Sequence, residues 1–309
     1  MSVGEQMKIL CIDGGGIRGV MPIAVLRAME KELGCSVAEK FDLIAGTSTG
    51  SIIAASASLK KDMDYLLQYY QDYGKKIFIR QAKIGLFKSV YSDHYLRKLL
   101  KKAFGNRTLG DIEIPLLIPA VDVTHGKPYI HRSHAVDPKN DDLSIPLWDA
   151  VLSSCSAPIY FPPNNVRNDY MSIDGGLWAN NPSLVCITEA VHYFDVNLQD
   201  IHILSLGTGD QNIDFTIDHD KFWGIKKWMP FRLPDMKVTP KLLDMALNLS
   251  SESVSYHSQL LLKGNYLRIN EKLGGEVPFD DVKYTKELIE LGNQVFNCYR
   301  NKIFDFLEK

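Results

Sequence analysis

Cysteine is scarce in this chain, and what there is fits neither a disulfide framework nor a zinc site. Cys11, Cys35, Cys155, Cys186 and Cys298 are odd in number and scattered, with no Cys-x-x-Cys pair and no Cys/His cluster at metal-ligand spacing. Reduced thiols in a cytoplasmic protein are therefore expected. The first residues lack the basic start and apolar stretch of a secretory signal, which fits the same compartment. No apolar run approaches the roughly 18 residues that cross a bilayer, so contact with lipid is expected to be peripheral. The eight histidines show no helical metal spacing, and Asp214, Asp218 and Asp220 lack the central glycine of a calcium loop. Neither a metal nor a cofactor is expected. Neither DNA nor RNA is expected as a partner. No repeat, low-complexity tract or Gly/Ser linker divides the chain, which predicts a single domain over residues 8–304.

What is present is apolar material for a sizeable core: 45% of the 309 residues are hydrophobic and 23% charged. Short apolar runs at 8–12, 41–45, 114–123 and 201–206 read as buried strands. They alternate with helix-like segments at 22–33, 48–59, 93–103, 182–194, 240–262 and 282–306. That alternation predicts an α/β fold around a mainly parallel sheet. Charge is uneven, with nine Lys/Arg against two Asp between Asp72 and Lys102, a stretch that reads as a solvated helical face or as a surface for an anion. The segment KFWGIKKWMPFR interleaves aromatic and basic residues without an acid, which makes the irregular region 210–240 a candidate lid or membrane-contact segment.

Two glycine-rich turns carry the chemistry. MKILCIDGGGIRGV, residues 7–20, places Gly14, Gly16 and Gly19 as G-x-G-x-x-G between a strand and a helix, the setting of a dinucleotide fingerprint. The acid that would hold a ribose is missing, because Glu30 and Glu32 fall inside the first helix, and the Lys-Ser/Thr pair of a Walker loop is absent. What remains is general: glycines let backbone N–H groups converge at a helix N-terminus, where negative charge is favoured. The second turn, GTSTG at 46–50, is G-x-S-x-G between an apolar strand and a helix of small residues, the setting of a nucleophile elbow. Gly46 and Gly50 relieve crowding around Ser48, whose hydroxyl is placed to attack an ester carbonyl. The amides of Gly14, Gly15 and Gly16 are then candidate donors to the oxyanion. The base stays open between two residues. His257 falls late in the chain, as in a Ser-Asp-His hydrolase; Asp174 stands in YMSIDGGLWANNP, where Gly175 and Gly176 allow close approach.

Taken in order, DGGGIRG, GTSTG and DGG resemble the patatin-like phospholipase family, and SSCSAPIYFPP, ILSLGTGD and NYLRIN resemble further blocks of it. The resemblance covers nearly the whole chain. It implies a three-layer α/β/α fold and lipid acyl hydrolysis of the phospholipase A type by a serine–aspartate dyad without histidine. By position it implies Ser48 as nucleophile, Asp174 as base, Gly14, Gly15 and Gly16 as oxyanion donors, and Arg18 beside the hole, placing the loop or the lipid phosphate. Gly19, Gly46, Gly50, Gly175 and Gly176 support them. Ser51 departs from the pattern, since many members carry a third glycine there. The resemblance further implies a phospholipid membrane surface as partner. Because short bacterial members include phospholipases switched on by cyclic nucleotides during phage infection, it also implies a cyclic oligonucleotide as candidate activator. The rival readings are a Ser-His-Asp esterase and a non-enzymatic dinucleotide-binding module.

Overall fold

The computed structural model describes residues 6–82, 87–135, 141–210, 231–232, 237–238 and 241–308. In chain order the main strands are β1 (Met7–Ile12), β2 (Leu43–Gly46), β3 (Leu116–Asp122), β4 (Lys127–Arg132), β5 (Asn164–Val166), β6 (Tyr170–Asp174) and β7 (Ile201–Leu206). The short pair β8 (Phe231–Arg232) and β9 (Lys237–Val238) and the strand β10 (Tyr266–Ile269) follow. The helices are α1 (Val20–Leu33), α2 (Thr49–Ser58), α3 (Met63–Ile77), α4 (His94–Phe104), α5 (Leu147–Cys155), α6 (Gly176–Ala179), α7 (Ser183–Tyr193), α8 (Lys241–Leu262) and α9 (Thr285–Glu308).

The apolar run of β1 is buried on both faces. Leu10 and Ile12 enter one core, and Met7, Ile9 and Cys11 enter another. A strand of this kind needs helices on both sides, as parallel sheets have. The order is β10-β7-β1-β2-β3-β6-β5, with β4 on β3; β10, β7, β1, β2 and β3 run parallel, and β4, β5 and β6 add antiparallel pairs. Helices α1, α2, α5 and α9 cover one face, with α3 and α4 packed against them, while α7 and α8 cover the other. This is the three-layer α/β/α arrangement with a mainly parallel sheet. Most of the expected lid, 211–230, lies outside the described residues, as do Asp214, Asp218 and Asp220.

Strand β3 is the template on which the candidate site is assembled. One of its edges pairs with β4 along most of its length. The other edge is shared: Leu117 faces Ala45 of β2, and Ala120 faces Asp174 of β6. Because β2 runs parallel to β3 and β6 antiparallel, the two approach head-on and stop on either side of Pro119. A proline cannot donate to a ladder, and this one stands where the partner changes. Its carbonyl accepts the Ser154 hydroxyl at 2.6 Å. A Cβ on Gly175 would lie 2.2 Å from that same carbonyl oxygen, so the chain leaves β6 there only as glycine.

Candidate active site

Between the end of β2 and the start of α2 the chain must reverse within two residues. Ser48 does so at φ +54° and ψ -124°, a conformation that side-chain-bearing residues rarely adopt and that costs on the order of 1–3 kcal/mol. Its surroundings hold it there. The Ser48 N–H donates to Ser154 Oγ at 2.8 Å, and the Ser48 carbonyl accepts from the Ser51 N–H at 2.8 Å and from Ser51 Oγ at 2.6 Å. A Cβ on Gly46 would sit 2.0 Å from the Gly50 carbonyl oxygen, and one on Gly50 2.3 Å from that of Ile12. Ser51, where the resemblance implies a glycine, is fully buried and braces the elbow through its hydroxyl.

Asp174 stands beside Ser48 at the end of β6. It is 5% exposed, its Oδ1 accepts the Gly176 N–H at 2.8 Å, and among the described residues no cation pairs with it. Burial pushes its pKa up to about 6, against the opposing hydrogen bonds of the Ser48 side chain and the Gly176 amide. A carboxylate in this setting is a competent base near neutral pH. His257, the alternative base, is exposed on α8, and no histidine is among the described residues lining the cavity at Ser48.

The glycine loop lies directly over the elbow, since a Cβ on Gly14 would fall 3.2 Å from Ser48 Cβ. One sequence expectation needs correction here. The Gly14 N–H is engaged, donating to the Asn180 carbonyl at 3.0 Å, so it is not free to serve an oxyanion. The N–H groups of Gly15 and Gly16 have no partner among the described residues, and both glycines line the cavity with Ser48. Arg18 lies on the opposite side of the loop. It is 5% exposed, its Nε donates to the Gly15 carbonyl at 3.4 Å, and its guanidinium stacks 3.9 Å from the Phe279 ring centre. Burial lowers its pKa to about 10, with the charge of Asp244 the largest opposing influence. Gly19 packs on the Thr49 side chain and Gly176 on Leu247. The acids that a dinucleotide site would need are committed elsewhere: Glu30 accepts the Val37 and Met63 N–H groups, and Glu32 pairs with Arg300 at 2.7 Å.

Two cavities flank the loop. In front, Ser48 and Asp174 open into an apolar channel bounded by α2, α3 and α4, with walls that include Ile17, Ile52, Leu66, Tyr70 and Leu100. Behind, a small polar hollow is lined by Asp13, Arg18, Asn180, Thr208 and Ser251. Sequence reasoning missed several residues that hold the loop and the elbow in place. Arg268 grips both oxygens of Asp13 at 2.7 and 2.8 Å, and Ser251 Oγ donates to Asp13 at 3.0 Å. Thr208 Oγ1 and Asn180 Nδ2 both donate to the Gly14 carbonyl, at 2.8 and 3.5 Å. The only signal for them was their place in the quoted blocks, SSCSAP for Ser154, LGTGD for Thr208 and YLRIN for Arg268. Among the described residues no group of His, Cys, Asp and Glu is arranged to hold a metal, and no helix is long and apolar enough to cross a membrane.

The family model described as patatin-like phospholipase matches residues 10–187. Patatin-like protein 2 of Arabidopsis thaliana is 31% identical, over 92% of this chain and 81% of its own. The cGAMP-activated phospholipase of Escherichia coli (strain TW11681) is 32% identical, over 66% of this chain and 62% of its own. Probable inactive patatin-3-Kuras 1 of Solanum tuberosum is 26% identical, over 93% and 85%. Among solved structures, VipD from Legionella pneumophila is similar with a TM-score of 0.47 and 11% identity, over 98% of this chain and 67% of that one.

Proposed function

The chain belongs to the patatin-like phospholipase family, and from that premise we propose that it is a lipid acyl hydrolase of the phospholipase A type, acting peripherally at a membrane surface. Membership alone does not give activity, since one relative is named as inactive. The observation that carries the reading is local: a strained serine and a buried carboxylate meet beneath two backbone N–H groups at the head of an apolar channel, and among the described residues the carboxylate has no cation partner and the N–H groups no acceptor. Ser48 Oγ attacks the acyl carbonyl while Asp174 takes its proton. The Gly15 and Gly16 amides receive the developing oxyanion, an interaction worth on the order of 10²–10³ in rate per donor. As the tetrahedral intermediate collapses, Asp174 returns the proton to the departing alcohol. Water then attacks the acyl-enzyme with Asp174 again as base, releasing the fatty acid and restoring Ser48. Hydrolysis of phospholipid vesicles tests this. Ser48→Ala and Asp174→Asn are each expected to lose at least ~10³-fold in kcat, with His257→Ala retaining activity. Retained turnover in Asp174→Asn would end the dyad account, and a dead His257→Ala would move the base to His257.

A second reading, regulation by a cyclic oligonucleotide, draws support from the name of the Escherichia coli relative and from one surface. Of the basic stretch, Arg80 and Arg97 are paired with Asp280 and Asp93. Lys75, Lys76, Lys88, Lys98, Lys101 and Lys102 are exposed and have no acid partner among the described residues. Titration of vesicle hydrolysis with cyclic dinucleotides is expected to raise the rate. An unchanged rate removes the regulation and leaves the dyad standing.

A further inference from the structure

The apolar channel has a measurable direction. Ser48, Thr49, Ile52 and Ser56 all line it, and they fall on one face of α2 from its first turn to its last. Helix α3 runs back alongside. Tyr70 meets Thr49 at the head, 2.6 Å from Oη to Oγ1, and Leu66 and Tyr65 line the wall farther along. At the far end Lys61, tied to Ser56 by its N–H at 2.9 Å, extends its amine to the Ala103 carbonyl in the last turn of α4, at 2.5 Å. A cation on a helix C-terminus is favourably placed. Lys61 and Ala103 both line the channel, so this clasp joins the α2–α3 turn to α4 beyond the last turn of α2, the part of the wall most distant from Ser48 along that helix. The ten residues of α2 span about 15 Å at 1.5 Å per residue, the length of roughly a dozen extended methylenes.

Resting on the acyl-hydrolase reading above, we propose that the channel measures the acyl chain along α2, and that the Lys61–Ala103 clasp makes Lys61 and Ala103 the specificity-determining residues. Chains of up to about a dozen carbons lie between Ser48 and the clasp, gaining burial with each methylene. Longer chains meet the clasp and lose part of that gain. The substrate class is therefore a lipid with a medium-length acyl chain at the cleaved position.

The test is kcat/KM for p-nitrophenyl esters of increasing acyl length, from butyrate to stearate. For the wild type it is expected to rise toward laurate and fall beyond it. Lys61→Ala removes the stop and is expected to move the optimum to longer chains. Ala103→Phe fills the far end and is expected to move it to shorter ones. Each variant should change the palmitate-to-octanoate ratio by roughly tenfold, in opposite directions. Labelling of Ser48 by a small alkyl phosphonate, read by mass spectrometry, reports that each variant is folded. An optimum that stays at the same length in labelled Lys61→Ala and Ala103→Phe overturns the ruler. If no ester is turned over in a Ser48-dependent way, the hydrolase reading itself fails, so the two failures are distinguishable.

Discussion

Two buried aspartates stand on opposite sides of the glycine loop, and their surroundings differ in one respect. Asp13, behind the loop, is gripped by the Arg268 guanidinium and by Ser251. Asp174, in front of it, has the Gly176 amide and the Ser48 side chain but no cation among the described residues. Burial pulls the Arg268 pKa down and the Asp13 charge more than reverses this. Asp174, left without such a partner, is pushed up to about 6. The same side chain is clamped by a guanidinium on one side of the loop and, on the other, has its charged form disfavoured by burial.

The contrast breaks most severely through Arg268. Arg268→Met would leave Asp13 buried without its counter-charge, and a loss of about 3–5 kcal/mol in unfolding free energy is expected, read by denaturant titration. A midpoint close to wild type would show that Asp13 does not depend on the guanidinium. Asp174→Asn should shift stability in the opposite direction. A carboxyl whose folded pKa of about 6 lies above its ordinary 3.8 contributes its full stability only below the lower value and loses it as pH rises through the upper. The amide, which has no charge to bury, is therefore expected to stabilise the fold by about 3 kcal/mol at pH 8 and to gain nothing near pH 3. A melting-temperature difference independent of pH would contradict this. The same titration predicts that log kcat/KM rises with unit slope up to about pH 6 and then levels. Ser154→Ala, the mildest change, removes the acceptor for the strained Ser48 N–H and the donor to Pro119. A loss of about 1–2 kcal/mol in stability and a several-fold fall in kcat should appear together; a fall in neither would remove Ser154 from the support of the elbow.

The parts of the site that could be read from sequence are those where sterics allow few residues. GTSTG is legible because a reversal this tight admits only glycine at 46 and 50, whatever the rest of the chain does. The strands of the parallel core are legible because burial on both faces demands continuous apolar runs. Asp174 was one of two candidate bases until the resemblance favoured it, since nothing in DGG reveals which strand end it will face. Strands β4 and β6 escaped because they are half-exposed and mix polar with apolar residues. Helix α3 escaped because its charges and tyrosines mask a narrow apolar stripe. The Gly14 expectation failed for a different reason: a backbone N–H has no sequence signature of its own, and its partner, the Asn180 carbonyl, lies 166 positions away.

The shared edge of β3 also has a temporal consequence. Ser48 and Asp174 belong to segments that have no reason to meet until β3 has been laid down and β6 has returned along it toward Pro119. A nascent polypeptide still emerging from the ribosome carries Ser48 long before it carries Asp174. The candidate site is thus absent from a half-made chain and forms only once β6 has paired with β3.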